Sequence, residues 1–226
     1  MILSITANQS LRDLGYLLNK DPTKLHNTSL SYGNAYLFFA DIGDKKSMAT
    51  LLLDINPVAL VRKNDAHNSA FLLEEYVNDR PYVASSFMSI AINRVLGSAI
   101  SGKSKLKQEL SETSIELEVT ISALPSRGGK ELLYKLFEPL GYNINIKGHV
   151  LDNKFPEWGN SAYFTLTLQR KCLLSEFLTH LYILIPVLDN KKHYWIDEEE
   201  IEKLLRFGEG WLASHPEKDL ITRDVI

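Results

Sequence analysis

Ser98 to Thr113 reads SAISGKSKLKQELSET, and this stretch decides how the rest of the chain divides. It is rich in Ser, Lys, Glu and Gly and poor in large apolar side chains, the composition of a linker rather than of a core element. Outward toward the N-terminus, residues 1–7 (MILSITA) alternate as a strand does. Ser10 then opens a helix, with Asp13 as the acid of a capping box and Leu11, Leu14, Tyr16, Leu17 and Leu18 on its apolar face. Asp21-Pro22 stops it. Strands are predicted at Ala35 to Asp41 and Met48 to Ile55, joined by the polar Ile42 to Lys46 turn. A polar loop at residues 63–68, a short helix at 71–77 and the turn Asp79-Arg80-Pro81-Tyr82 follow. Ser85 is read as the cap of a longer helix that buries Phe87, Met88, Ile90, Ala91, Ile92 and Val95.

Toward the C-terminus the same order recurs. A strand at Ile115 to Ile121 is followed by the turn Leu124 to Gly129 and a helix from Lys130 to Leu140 that stops at Gly141. Strands are predicted at Tyr142 to Val150 and Tyr163 to Leu168, then a helix from Leu174 to Leu184, the polar Asp189-Asn190-Lys191-Lys192, and a last helix capped by Asp197. Tyr82 and Tyr194 lie the same number of residues apart as the caps Ser85 and Asp197. These patterns predict an α+β chain of two small units, residues 1–110 and 111–226. Each has strand-helix-strand-strand-helix-helix order, and together they read as an internal duplication.

Composition narrows the class. At 226 residues, with 45% hydrophobic and 23% charged, the chain is too apolar for a disordered protein and has no run long enough to span a membrane as a helix. A net charge of −3 argues against a protein that coats nucleic acid by bulk charge. The start, Met1-Ile2-Leu3-Ser4, lacks the basic region of a secretion signal, and the lone Cys172 cannot form an internal disulfide. A cytoplasmic location is expected.

Chemistry-bearing motifs are few. Gly97 to Ser104 (GSAISGKS) matches G-x-x-x-x-G-K-[ST], whose loop amides and Lys cradle phosphates in nucleotide-binding proteins. That motif needs a strand before it and a buried helix after it. Here an amphipathic helix precedes and a short polar segment follows, so the linker reading is preferred and an ATP-binding enzyme is the alternative. The six histidines show no metal-ligand spacing, and Cys172 beside Lys171 reads as packing rather than as a nucleophile. Acidic Asp197 to Glu200 suits the first turn of a helix. Ser126 to Lys130 could hold a phosphate, but a tight turn that needs Gly for its dihedrals is the preferred reading. Two segments, Phe155 to Gly159 and Lys191 to Trp195, set a Trp among charged or turn residues, the chemistry of a contact surface or a base-stacking platform, and equally of a cap on the local core.

Several blocks carry a family resemblance: Asp13 to Leu18 (DLGYLL), Leu52 to Val58 (LLDINPV), Tyr76 to Tyr82 (YVNDRPY) with Ser85 to Phe87, and Leu124 to Gly129 (LPSRGG). Phe137 to Tyr142 (FEPLGY), Phe155 to Gly159 (FPEWG) and Pro186 to Trp195 (PVLDNKKHYW) continue it. In order and over essentially the whole chain, they resemble the N-terminal half of the bacterial Hen family, RNA 3′-terminal ribose 2′-O-methyltransferases of an RNA-repair system.

The resemblance implies that this half does not methylate. The S-adenosylmethionine site and a divalent-metal cluster of Glu and His would lie in the C-terminal half, so no catalytic residue, cofactor or metal is expected among these residues. The chain would be an isolated module of a longer protein. Its implied role is to bind a polynucleotide kinase–phosphatase–ligase and switch on its RNA ligase in a hetero-oligomer, with RNA a further candidate component and no membrane. Within the matching blocks, Asp79, Arg80, Tyr82, Arg127, Trp158, Lys192, His193, Tyr194 and Trp195 have the chemistry of contact residues. RNA binding alone is the third reading.

Overall fold

The structure, a computed structural model, describes residues 1–43, 45–56, 83–188, 202 and 206–225. Seven strands form one antiparallel sheet: β1 (Ile2–Ala7), β2 (His26–Leu30), β3 (Gly33–Asp41), β4 (Ser47–Ile55), β5 (Ile115–Pro125), β6 (Asn143–Val150) and β7 (Asn160–Cys172). Their order across the sheet is β2-β3-β4-β1-β5-β7-β6. Among the described residues, the bounded α-helices are α1 (Leu11–Leu18), α2 (Val83–Ile100), α3 (Gln108–Ser111), α4 (Gly129–Phe137), α5 (Leu174–Val187) and α6 (Lys218–Val225). The chain is mixed α+β, as its patterning predicts.

Alternation along each strand sets the layers, because successive side chains point to opposite faces. One row runs across six strands through Leu37, Leu51, Leu3, Ile121, Leu166 and Ile146, and all six side chains are buried in the core with the apolar faces of α1, α2 and α5. Fully burying a Leu or Ile side chain stabilises by roughly 1.5–3 kcal/mol, so this row is a large contributor to the fold. One residue along, the other face is polar. Ser4 Oγ lies 3.1 Å from Thr50 Oγ1, and Thr120 Oγ1 lies 3.2 Å from Thr167 Oγ1. The two longest helices meet over the core, where the buried Ser89 hydroxyl donates to the Tyr182 carbonyl at 2.7 Å.

The central pair, β1 with β5, joins strands from either side of residue 110, from Ile2 opposite Ser122 to Ala7 opposite Leu117. Outward from it, each side repeats one connectivity: a first strand, a helix (α1 or α4), a hairpin whose second strand pairs with the first strand, and a long helix (α2 or α5). The N-terminal side adds β2 as an edge strand. Its sequence, HNTSL, has too little apolar alternation to be recognised as a strand from sequence.

Ser10 caps α1 as expected, accepting from the Asp13 amide at 3.1 Å. At its other end Asn19 is left-handed, with Asn19 N–H on Tyr16 O and Lys20 N–H on Gly15 O, the bonding of a Schellman stop. Ser85 does not cap α2. The helix begins at Val83, so Ser85 is buried inside it.

The segment 98–113 holds the last turn of α2 and all of α3. It is fastened to α1. Asn19 Nδ2 donates to Lys103 O at 2.6 Å, the Lys105 amide donates to Asn19 Oδ1 at 2.8 Å, and the Ser104 hydroxyl donates to Tyr16 O at 2.9 Å. Lys107 adds a 2.7 Å ion pair with Asp13, and this bond, with that of Ser10, holds the Asp13 carboxyl below its ordinary range.

Candidate protein interface

The phosphate-loop match Gly97 to Ser104 is a helix terminus. Gly102 is left-handed (φ +66°), the Gly102 amide donates to Ala99 O at 3.0 Å and the Lys103 amide donates to Ser98 O at 3.0 Å. Together these make a Schellman stop for α2, and the amides a phosphate would need are taken: those of Ser101, Gly102 and Lys103 by helix carbonyls and that of Ser104 by Gln108 Oε1. The glycine is there because a left-handed stop favours a residue without Cβ. Cys172 is the last residue of β7, and burial pushes its thiol up to about 12, so it stays protonated. Among the described residues no three His, Cys, Asp or Glu side chains converge as a metal set, and no helix is long and apolar enough to cross a membrane.

Among the described residues, four exposed large apolar side chains, Val150, Leu151, Phe155 and Trp158, share the β6–β7 hairpin. Val150 pairs with Asn160, and the Leu151 amide donates to Gly159 O at 3.0 Å, closing the loop between them. Pro156, Glu157 and Trp158 form a single 3-10 turn, with the Trp158 amide on Phe155 O at 3.0 Å, and Gly159 follows at φ +86° to turn the chain back into β7. This turn stacks Phe155 on Trp158 at 4.7 Å between ring centroids and 14° between planes. The rings stack on each other in the open. Trp158 is 59% exposed, Phe155 44%, and the adjoining Leu151 60%.

Arg127 lies at the same end of the sheet. β5 and β7 run antiparallel, with Pro125 opposite Tyr163, so the turn after β5 lies beside the start of β7 and its hairpin. Ser126 is buried and donates through its hydroxyl to Gly129 O at 2.8 Å, while a Cβ at Gly128 would meet Leu132 Cβ at 2.5 Å. That tight turn leaves the Arg127 side chain exposed and directs its amide to Leu188 O at 3.1 Å.

Of the nine sequence candidates, Arg127 and Trp158 are thus exposed and share one end of the sheet. Asp79, Arg80, Tyr82, Lys192, His193, Tyr194 and Trp195 lie outside the described residues. The described chain nevertheless leaves for both of those segments from this end. Asn56 follows β4 beside the β2–β3 turn, bonding Tyr32 O at 2.9 Å, and Leu188 is the partner of Arg127. Val150 and Leu151 were not singled out by sequence. Two aliphatic residues at a strand end look like core until the register shows the hairpin opening there.

Three comparisons with known proteins bear on this geometry. A family model described as the RNA repair, ligase-Pnkp-associating region of Hen1 matches residues 1–226. A solved structure of a Pnkp1/Rnl/Hen1 RNA repair complex contains a chain of like fold, with TM-score 0.55 at 15% identity, over 92% of this chain and 47% of that one. A second structure of a Pnkp1/Rnl/Hen1 complex aligns with TM-score 0.54 at 13% identity, again over 92% and 47%. The chain therefore spans about half the length of the chains it matches, and at this identity the likeness is one of fold. No curated protein sequence matches it.

Proposed function

This chain belongs to the ligase-Pnkp-associating region of Hen1, an RNA-repair family, and we propose that it is a non-catalytic module that binds a kinase–phosphatase–ligase and raises its RNA-ligase activity. The family match over the full 226 residues carries the reading. Its association with a ligase-bearing protein gives an exposed aromatic hairpin a use that no core requirement explains.

The hairpin has the chemistry of a binding anchor. Large aromatics dominate protein interfaces, because they bury much area with few rotatable bonds. Phe155 and Trp158 are already stacked, so docking them costs less conformational entropy than ordering two free side chains. Arg127 at the same end supplies a planar donor for a carboxylate or carbonyl of the partner.

Activation requires more than attachment. A bound module shifts a ligase only by contacting its competent state better than its resting state. The module contributes no reacting group: in this reading S-adenosylmethionine and metal chemistry belong to the methyltransferase half of the family's proteins, and nucleotidyl transfer to the ligase. RNA joins through the assembled complex.

The test adds the purified chain to the kinase–phosphatase–ligase and follows ligase adenylylation, strand sealing and co-elution on a sizing column. The reading predicts a stable complex and saturable stimulation of both steps. A chain that neither co-elutes nor stimulates sealing would overturn it.

A further inference from the structure

At the opposite end of the sheet from the aromatic hairpin, where β7 ends and α5 begins, a cleft of about 400 Å³ opens between the C-terminus of α2, the first turns of α5 and residues 206–211. Its wall contains an unsatisfied polar group. His180 lines the cleft yet is only 1% exposed. Its Nδ1 lies 2.7 Å from the Tyr142 hydroxyl, and its Nε2 has no hydrogen-bond partner among the described residues.

The proton's place on that ring follows from counting. If Tyr142 O–H donates to Nδ1, the only unmet group is Nε2–H. If Nδ1–H donated instead, both the phenol hydrogen and the Nε2 lone pair would be left unmet in a buried site. The first arrangement wins, so His180 presents an N–H donor and its missing partner is an acceptor. Burial, with help from the nearby Arg170 and His215, holds the imidazole down to about 3, so the ring is neutral at pH 7.

Around this donor stand two cations and two carboxylates. Lys103 and Arg206 line it, and neither has a carboxylate partner among the described residues. Glu176 is committed to Arg170 at 2.8 Å, which leaves Glu209 as the one uncommitted acid of the described lining. The Trp211 ring stands edge-on to His180, 4.7 Å between centroids, and gives the cleft an aromatic wall. Two cations and a separate neutral donor offer more hydrogen bonds than a carboxylate's two oxygens favourably use. They suit a phosphate with three terminal oxygens.

We propose that this cleft binds the phosphomonoester of a nucleotide, with Lys103 and Arg206 on the phosphate oxygens, Trp211 beside the attached nucleoside, and His180 Nε2–H, closed off in the free chain, turned to a phosphate oxygen when the ligand seats. The phosphate comes either from a free mononucleotide or from the 5′ end of an RNA. Its position at the far end of the sheet separates it from the ligase-binding surface, so the two proposals fail independently.

The experiment titrates the 226-residue chain at pH 7, by calorimetry, with AMP, adenosine, and a short oligoribonucleotide carrying either a 5′-phosphate or a 5′-hydroxyl. The same titrations are run on Lys103→Ala and Arg206→Ala, both exposed side chains. Saturable binding of AMP or of the 5′-phosphorylated strand is expected, weakened about tenfold by either variant, the usual worth of a charge-assisted hydrogen bond. The His180 Nε2–H resonance should move on titration. Adenosine and the 5′-hydroxyl strand should not bind. Binding of AMP alone identifies a mononucleotide site, and binding of the phosphorylated strand identifies an RNA-end site. No binding of either at millimolar concentration overturns the proposal, as does binding indifferent to the 5′-phosphate or to both variants.

Discussion

The β3–β4 and β6–β7 connections occupy corresponding places on the two sides of the central β1–β5 pair, yet they are built to opposite ends. The first is a tight polar turn. Ile42 N–H meets Lys46 O at 3.1 Å, Lys46 N–H meets Gly43 O at 2.8 Å, and the Asp41 carboxylate accepts from the Gly43 amide at 3.0 Å. The second stretches from Leu151 to Gly159 and holds a stacked Phe155–Trp158 pair in solvent. The same sheet frame thus carries a connector on one side and a contact surface on the other. Polar turns solve a folding problem locally, whereas an exposed aromatic pair adds apolar surface that only a partner removes.

The two sides also differ in what their cores hide. On the N-terminal side the buried ring is Tyr32, which donates to Phe87 O at 2.7 Å and whose phenol burial keeps neutral. On the C-terminal side it is the Tyr142–His180 pair. The comparison can be broken in three ways, in order of expected effect. First, Leu3 stands at the centre of the row that crosses both sides, so Leu3→Ala should lose roughly 2–5 kcal/mol. Unfolding followed by urea should remain one transition by circular dichroism and by tryptophan fluorescence. Two separated transitions would mean that the sides are independent despite the shared sheet.

Second, His180 has a folded-state pKa near 3, below its ordinary 6.5. The unfolded chain therefore binds its proton more readily. The stability this residue contributes is whole above pH 6.5 and is lost as pH falls from 6.5 toward 3, at no more than about 1.4 kcal/mol per unit. His180→Gln should flatten the slope in that window, and Tyr32→Phe should leave it alone. An unchanged slope in His180→Gln would contradict this linkage. Third, Lys107→Ala should cost less than about 1 kcal/mol in chemical denaturation, since the Asp13 pair is largely solvated. A larger loss would mean that the 98–113 segment depends on this pair rather than on the Asn19 and Ser104 bonds.

Much of this fold is written locally. Six of the seven strands follow from alternation and polar turns, and the Ser10 cap from a single hydroxyl followed three residues later by an acid. What sequence left hidden is tertiary. No local pattern pairs β1 with β5, because that bond joins residues more than a hundred positions apart. The GSAISGKS match is ambiguous in sequence because a phosphate loop and a Schellman stop both use a glycine in the left-handed region, and the bonds of its amides tell them apart. The FPEWG turn was legible as a contact candidate since Trp beside Pro and Gly has no helical or strand partner to bury it. The cleft at His180 was not, because Tyr142, His180, Lys103 and Arg206 share no spacing.

The central claim is that the hairpin side of this sheet engages the ligase-bearing partner. Its most direct test is the affinity of that partner for the chain carrying Phe155→Ala and Trp158→Ala, measured beside Ile42→Ala in the β3–β4 turn. The account predicts a loss of at least tenfold for the hairpin variant, the effect of removing a central aromatic anchor, with no change for Ile42→Ala and sealing stimulation falling in parallel. Affinity and stimulation retained in full by the hairpin variant would contradict it.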